Sequence, residues 1–328
     1  MKEIIVGKLD DGMRFDKYIH KIFKKMPTST FHKLLRKKYF KINDIKADGR
    51  EILSVGDRVA IFLSGETYDR FVGDKDERNI GGNSKHRSLS NDKSYKNNNA
   101  AEIKKRIVYE DKNVIIYDKE VGLLSQGDRS NDKSVNTILN EYLGTSKTKE
   151  AFKPSVVNRL DRNTRGLIIF AKTYIAAREI SRMIKDGVID KYYLAIVNGG
   201  VKKDKELLTH LLRKDTKTNK VEIREYKGKV IDGYSKVSLE YKVLNREKGV
   251  STLEIRLITG KSHQIRAELS YIGHPLLGDR KYMDASLYKM NVEKYGVKTQ
   301  ELTCYKIIFG KFENRELEKL SNKTIKIR

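Results

Sequence analysis

The sequence predicts an α+β protein in which a small N-terminal module precedes a larger domain built on a sheet. In the first 65 residues, apolar residues at helical spacing give way to segments that alternate and turn as short strands do. Further on, the stretch 106–128 contains two strand-like segments, and the continuous apolar run 167–171 is typical of a buried central strand. Together these patterns predict helices packed with a central mixed or antiparallel sheet.

Two helices are predicted in the N-terminal module. The first has apolar residues at helical spacing, namely Phe15, Ile19, Ile22 and Phe23. A break at 26–28 separates it from a second helix, whose apolar residues also share one face, namely Phe31, Leu34 and Leu35. Residues 39–63 then alternate and turn like short strands. The module is therefore predicted to be a small ααβ unit.

Residues 79–101 have a composition that cannot bury enough surface to offset the entropy of ordering. They hold six Asn, four Ser and two Gly, with few larger apolar residues among them. We therefore predict a flexible linker at 66–104. It separates the N-terminal module at 1–65 from a C-terminal domain at 105–328.

The charge balance favours a polyanionic partner. The chain has 69 Lys and Arg against 44 Asp and Glu, a formal net charge of +25, and nucleic acid is the commonest cytosolic polyanion. Between Lys17 and Lys41 there are nine basic and no acidic residues, whereas a solvated helix face normally mixes both signs. We interpret this run, which includes Lys33, Arg36 and Lys37, as a phosphate-facing surface. An ordinary basic surface of a lysine-rich protein is the alternative.

Composition also excludes several kinds of site. Cys304 is the single cysteine, which excludes an intramolecular disulfide framework and a cysteine-rich zinc site and favours a reducing compartment. No secretory signal is evident, and no apolar run approaches the roughly 18 residues of a membrane span. His263 and His274 lack the other ligands of a metal cluster, and no dinucleotide-binding motif occurs. We expect a soluble, cytoplasmic protein with no membrane contact and no metal.

One carboxylate lies among arginines just before the apolar run 167–171. Asp161 is flanked by Arg159, Arg162 and Arg165. A carboxylate held among cations at the edge of a buried strand can stay ionised and act as a nucleophile. An aspartate that only forms a turn or a surface ion pair could have the same neighbours. This segment alone therefore leaves open whether Asp161 is a structural residue or a nucleophile.

Residues 13–62 contain FDKYIHKIFKK near the start, KINDIKADG in the middle and VGDRVAIF at the end. With these segments they resemble the small RNA-binding domain named after ribosomal small-subunit protein S-four. Residues 28–31 and 38–40 depart from the family's pattern, at its Ser-Arg stretch and at its glycine-containing turn. The resemblance therefore implies an S-four-like fold and RNA binding, without carrying over individual RNA contacts.

Three segments of the C-terminal domain stand out as motifs: NRLDRNTRGLIIFAKT at 158–173, KYYLAIVNG at 191–199, and TGKSHQIRAE at 259–268, which continues to GHPLLGD. In sequence and in order they resemble the motifs of the RluA-type pseudouridine synthases, which isomerise uridine in structured RNA. Four positions depart from the family's usual residues and hold Asn158, Arg165, Lys261 and Glu268. The resemblance implies the pseudouridine synthase fold for this domain.

The resemblance also implies roles for individual residues. The catalytic residues would be Asp161 as the aspartate, Tyr193 as the active-site tyrosine and Arg266 as the arginine that keeps the aspartate ionised. Tyr193 can stack on the uracil and handle a proton, although a core aromatic has the same strand pattern. The residues expected to contact RNA in this domain are Arg159, Arg162, His263 and Gln264.

The implied reaction breaks the bond from the ribose to the base nitrogen, turns the base and rejoins it through a ring carbon, without a cofactor. The uridine must leave its stack, and Arg159 is suited to fill the vacated space or to hold the neighbouring phosphate, with a plain salt bridge as its alternative. Two routes stay open for Asp161, attack on the sugar and stabilisation of a glycal-like intermediate. We expect a monomer that acts on large-subunit ribosomal RNA; the alternatives are transfer RNA as the substrate and a catalytically silent ribosome-assembly factor.

Overall fold

The computed structural model describes residues 1–72, 93–127, 132–146, 150–215, 218 and 220–327, with the side chains of 93–99 excepted. Within these ranges the strands form two separate sheets, one in the N-terminal module and one in the C-terminal domain. No helix in the same ranges is long and apolar enough to cross a membrane.

The N-terminal module consists of helices packed with a small antiparallel sheet. Its elements are β1 (Lys2–Ile5), a 3-10 helix (Lys8–Asp10), α1 (Phe15–Ile22), α2 (Thr28–Arg36), β2 (Phe40–Ile42), β3 (Ile45–Lys46), β4 (Arg58–Ile61) and α3 (Gly65–Val72). The sheet order is β1-β4-β2-β3. Both predicted helices are confirmed, since Phe15 and Phe31 are buried and contact Phe40 in the core of the module.

Both ends of the predicted linker are helical. Helix α3 extends from the module to Val72 and α4 spans Lys93–Arg106, while the residues between them lie outside the described part of the chain. Phe71 packs into the core of the module, and Ile103 packs into the core of the C-terminal domain. The composition of this region did not indicate these helices because few of its residues are apolar. The domain limits at 65 and 105 stay a prediction.

The C-terminal domain contains the larger sheet. Its strands are β5 (Ile107–Glu110), β6 (Val114–Lys119), β7 (Ser155–Val156), β8 (Arg165–Ala171), β9 (Ile189–Asn198), β10 (Lys205–Lys214), β11 (Val221–Glu225), β12 (Ser235–Glu247), β13 (Val250–Leu257), β14 (Leu302–Phe309) and β15 (Thr324–Lys326). Its helices are α5 (Val135–Tyr142), α6 (Tyr174–Lys185), α7 (Gln264–Tyr271), α8 (Ala285–Tyr295) and a 3-10 helix (Arg315–Leu320).

These strands form one mixed sheet. Among the described residues the order is β11-β10-β12-β13-β9-β14-β8-β6-β5, with β15 beside β14 and β7 beside β8. Strands β14 and β8 run parallel, whereas β9 pairs with both β13 and β14 in the antiparallel sense. The apolar run 167–171 lies in β8 and is fully buried. The predicted α+β class, the mixed sheet and the buried strand are confirmed.

A close approach between β8 and β14 fixes the chain just after Asp161. Gly166 has φ +129°, and a Cβ at this position would lie 2.3 Å from the carbonyl oxygen of Cys304. Only glycine allows this contact, because other residues would place a side-chain carbon against the neighbouring backbone. The loop that carries Asp161 therefore leads into a strand whose position is tightly defined.

A buried carboxylate joins the module to the C-terminal domain. Asp10 accepts hydrogen bonds from the backbone N–H groups of Ala151 at 3.0 Å and Phe152 at 2.5 Å. In the other direction, Glu150 accepts a hydrogen bond from the N–H of Leu9 at 3.0 Å. The Phe152 ring packs into the core of the module. The module and the C-terminal domain are therefore in direct contact, whereas the sequence predicted only a flexible linker between them.

Candidate active site

Asp161 lies in the loop between β7 and β8, opposite helix α7. Its Oδ2 accepts a hydrogen bond of 2.9 Å from Nη1 of Arg266, which lies on α7. The Asp161 side chain is 24% exposed, whereas Arg266 is buried. The structure thus brings together two of the residues singled out in the sequence, although 105 positions separate them along the chain.

Arg266 is held on its other side by a second carboxylate. Its Nε and Nη2 donate to Oδ2 and Oδ1 of buried Asp279 at 2.7 and 2.8 Å. Burial acts to lower the pKa of Arg266, but the hydrogen bonds and charges of Asp279 and Asp161 outweigh burial and raise that pKa above its ordinary value. A two-point contact of this kind fixes the plane of a guanidinium group. Arg266 therefore stays charged and presents Nη1 to Asp161 in one orientation.

The Asp161 loop is anchored at both ends. Ser125 is buried, and its Oγ donates to the carbonyl of Leu160 at 2.8 Å and accepts from the N–H of Leu160 at 2.9 Å. The Asp161 carbonyl accepts from the N–H of Thr164, whose hydroxyl accepts from Nε2 of Gln300. These contacts satisfy the loop's polar groups inside the protein, so the loop has a defined conformation.

Lys119, at the end of β6, is fully buried beside this loop. Its Nζ donates three hydrogen bonds, to the carbonyls of Glu120 at 2.8 Å, Leu123 at 2.8 Å and Arg162 at 2.9 Å. Burial lowers the pKa of Lys119 to about 8, against the opposing influence of nearby carboxylates, of which Asp161 is the strongest. The sequence analysis missed this residue, because a single lysine after an apolar strand gives no sign that three carbonyls converge on it.

Tyr193 lies on β9, opposite Cys304 of β14. Its side chain is buried, as is that of Cys304 on the neighbouring strand. Burial, the contact with Cys304 and the charge of Asp161 together raise the pKa of Tyr193 well above its ordinary value. The phenol therefore keeps its proton across the physiological range and lies close enough to Asp161 to sense its charge.

His263 immediately precedes α7 and lies at the edge of the site. Its Nε2 is 4.0 Å from Oδ2 of Asp161, and its Nδ1 is 2.9 Å from the hydroxyl of Tyr282. Burial lowers the pKa of His263, and the charge of Arg266 acts in the same direction, whereas the charge of Asp161 acts to raise it. The ring is therefore neutral at physiological pH.

The sequence profile of the family described as RNA pseudouridylate synthase matches residues 113–271, a range that contains Asp161, Tyr193 and Arg266. The matched region belongs to the RNA pseudouridine synthase family. The enzyme is 28% identical over 307 residues to the ribosomal large subunit pseudouridine synthase C of Rickettsia bellii, covering 92% of this chain and 93% of the relative. The RluA-type resemblance seen in the sequence is confirmed, and the protein is an isomerase.

Two further comparisons extend the match along the chain. An uncharacterized RNA pseudouridine synthase of Mycoplasma genitalium is 28% identical over 326 residues, which are 98% of this enzyme and 93% of the relative. The solved structure of human RNA pseudouridylate synthase domain containing 4 has a TM-score of 0.55 at 21% identity, and the match covers 71% of this chain and 93% of that one. The structural match supports the pseudouridine synthase fold.

Gln264 is the first residue of α7 in the enzyme, and its amide group is occupied within the protein. It is buried, its Oε1 accepts from the Thr259 hydroxyl at 3.0 Å, and its Nε2 donates to Oε2 of Glu268 at 2.9 Å. The geometry makes Gln264 a support for the start of α7. Its expected contact with RNA stays a prediction.

The remaining cations expected to contact RNA are exposed. Arg159 is exposed beside Asp161, and Arg162 donates to the carbonyl of Gly122 at 3.0 Å. Arg165 instead forms a two-point ion pair with Asp118, at 2.8 and 3.3 Å. The basic residues Lys33, Arg36 and Lys37 are exposed in the N-terminal module, at the end of α2 and just after it. They form a second group of cations, separate from the residues around Asp161.

Proposed function

We propose that the enzyme isomerises specific uridines of large-subunit ribosomal RNA, with Asp161 as the reacting carboxylate. The observation that carries the proposal is the 2.9 Å hydrogen bond from buried Arg266 to a partly exposed Asp161. The relatives' names support the substrate. One is the Rickettsia enzyme described above, and another is the ribosomal large subunit pseudouridine synthase D of Borreliella burgdorferi, 32% identical over 213 residues and covering 63% of each chain.

Asp161 is suited to either route for breaking the glycosidic bond. Attack on the ribose carbon and proton removal toward a glycal both need an ionised carboxylate held in a fixed place. Arg266 provides both, since Asp279 prevents its guanidinium group from turning away. Oδ2 of Asp161 is engaged by Arg266, which leaves Oδ1 as the oxygen we assign to the reaction. A carboxylate that is positioned before the substrate arrives needs little reorganisation during the reaction.

The target uridine has to leave the RNA stack to reach Asp161, at a cost of about a few kcal/mol. Exposed Arg159, two residues before Asp161, is placed to fill the vacated space or to hold the adjacent phosphate. We assign Arg162 to a phosphate contact beside it. Tyr193 is assigned to the uracil, where its ring can stack and its protonated phenol can donate a hydrogen bond or a proton.

The N-terminal module is proposed to be an S-four-like RNA-binding domain. Its exposed cations Lys33, Arg36 and Lys37 would contact phosphates and contribute affinity that does not depend on sequence. The Asp10 contact with the C-terminal domain supports joint binding of one RNA by both parts. We further propose that the enzyme acts in the cytoplasm as a monomer, and the buried thiol of Cys304 fits a reducing compartment.

The test is the variant Asp161→Asn, assayed for tritium release from RNA labelled with [5-³H]uridine and for RNA affinity. We expect isomerisation to be lost and the dissociation constant to change little, because phosphate contacts dominate binding. The control is Asp186→Asn, an exposed carboxylate at the end of α6. Activity in Asp161→Asn would remove this residue from the reaction. Mapping pseudouridines in cells with and without the gene tests the substrate, and sites confined to transfer RNA would contradict ribosomal RNA.

A further inference from the structure

The backbone of His263 has a conformation that histidine rarely adopts. Its φ is +55° and its ψ is 14°, in the left-handed region at the residue that caps α7. Side chains with a Cβ are disfavoured there, and glycine or asparagine would fit with less strain. Strained residues of this kind persist where the surrounding structure and a functional requirement hold them. From this turn the imidazole ring of His263 is directed toward Asp161, with Nε2 4.0 Å from Oδ2.

The ring is oriented by Tyr282. The Tyr282 hydroxyl accepts the N–H of Val221 at 3.0 Å, which leaves its own proton available for Nδ1 of His263 at 2.9 Å. The two rings also make an edge-to-face contact, with centroids 5.6 Å apart. In a neutral imidazole one nitrogen is the donor and the other the acceptor. With Nδ1 accepting from Tyr282, the proton of His263 is on Nε2.

The charges around His263 favour the same tautomer. The groups that act on it are Asp161, Arg266, Lys281 and Asp279. Burial, Arg266 and Lys281 disfavour a second proton on the ring and so keep it neutral. The nitrogen that faces Asp161 is Nε2, and a carboxylate is stabilised by an N–H directed toward it.

We propose that His263 is a positioning residue for the isomerisation, which holds Asp161 through an Nε2–H donor that Tyr282 keeps in place. The inference rests on the proposed role of Asp161. The present separation of 4.0 Å is longer than a hydrogen bond; catalytic hydrogen bonds are often long before substrate binds and shorten in the complex. When RNA is bound, Asp161 would be held by Arg266 from α7 and by His263 from the turn before it.

The test compares His263→Gly, His263→Asn and His263→Gln in the full-length enzyme. Both glycine and asparagine relieve the backbone strain, so we expect the melting temperature to stay or to rise by roughly 1–3 °C. Glycine has no side-chain donor, and the amide of asparagine is too short to reach the position of Nε2. In the same variants kcat should fall by about 10–100-fold with KM for bulk [5-³H]uridine-labelled RNA within about twofold, because misplacing a reacting group affects the chemical step. Glutamine keeps an N–H donor and should recover most of kcat.

The partner residue provides a second measurement. Tyr282→Phe should also lower kcat, and His263→Gly combined with Tyr282→Phe should lower it no further than His263→Gly alone, since residues acting as a unit are non-additive. Tyr288→Phe, which removes an exposed hydroxyl on α8, is the matched control and should leave kcat unchanged. Wild-type kcat in His263→Gly would overturn the inference, as would a fall in kcat that follows a fall in melting temperature. Activity in Asp161→Asn would instead contradict the proposed function.

Discussion

The contact between Asp10 and the C-terminal domain makes a quantitative prediction about how the module is held. In Asp10→Ala, the backbone N–H groups of Ala151 and Phe152 lose the carboxylate that accepts their hydrogen bonds. A buried donor without a partner costs about 1–3 kcal/mol, so two cost about 2–6 kcal/mol. Burying the charged carboxylate itself costs free energy, and for that reason burial raises the pKa of Asp10. Asp10→Ala removes this cost together with the hydrogen bonds. We therefore expect the low end, about 2 kcal/mol, or roughly a 30-fold shift toward the undocked state.

Hydrogen exchange measured by mass spectrometry tests this value at the contact itself. Peptides that contain the amides of Ala151 and Phe152 should exchange roughly 30-fold faster in Asp10→Ala, while peptides from β8 should not change. The control is Asp11→Ala, because Asp11 accepts from the N–H of Val55 inside the module and, among the described residues, makes no hydrogen bond to the C-terminal domain. Unchanged exchange in Asp10→Ala would show that other contacts protect these amides and would refute the role of Asp10.

Three further expectations concern the site and the basic surface. Tyr193→Phe should lower kcat by roughly 100-fold with little change in KM; near-wild-type turnover would reduce Tyr193 to packing. For Lys119, whose pKa is lowered by burial from 10.5 to about 8, the unfolded chain binds more protons between these values, so stability should rise by about 2 kcal/mol from pH 7 to 9.5. Urea unfolding should show this rise in the wild type and lose it in Lys119→Met. Replacing Lys33, Arg36 and Lys37 together by alanine should flatten the log–log salt dependence of RNA binding by roughly one unit per lost phosphate contact, and parallel slopes would return these residues to an ordinary surface.

The elements that sequence predicted well are those with a strong local pattern. Phe15 and Phe31 lie in the helices expected from apolar spacing, and 167–171 is the buried strand β8. The spacing of apolar residues along the chain predicts which residues of a helix or strand are buried, and the two helices and β8 are buried as that spacing predicts. Helix α4 has no such pattern, and its described end is placed by tertiary contacts such as that of Ile103.

The site could be predicted only where motifs identify it. The partners Asp161 and Arg266 are far apart in sequence, and spacing alone gives no reason to pair them; the motif resemblance did. Lys119 and Ser125 support the Asp161 loop through backbone carbonyls and a backbone N–H. Such contacts depend on which backbone groups the fold brings close to the side chain, so the presence of a lysine or serine in the sequence does not predict them.

Glu268 shows how a departure from the family's motif is accommodated. A fully buried carboxylate in place of the usual histidine would be costly without a partner. His210 on β10 supplies one, with Nδ1 2.8 Å from one Glu268 oxygen, while Gln264 donates to the other at 2.9 Å. Gln264 in turn accepts the N–H of Lys261 at 3.2 Å, so the pair at 210 and 268 supports the turn that carries His263. The carboxylate of Glu268 therefore has a partner for each of its oxygens and serves as a polar anchor beneath α7.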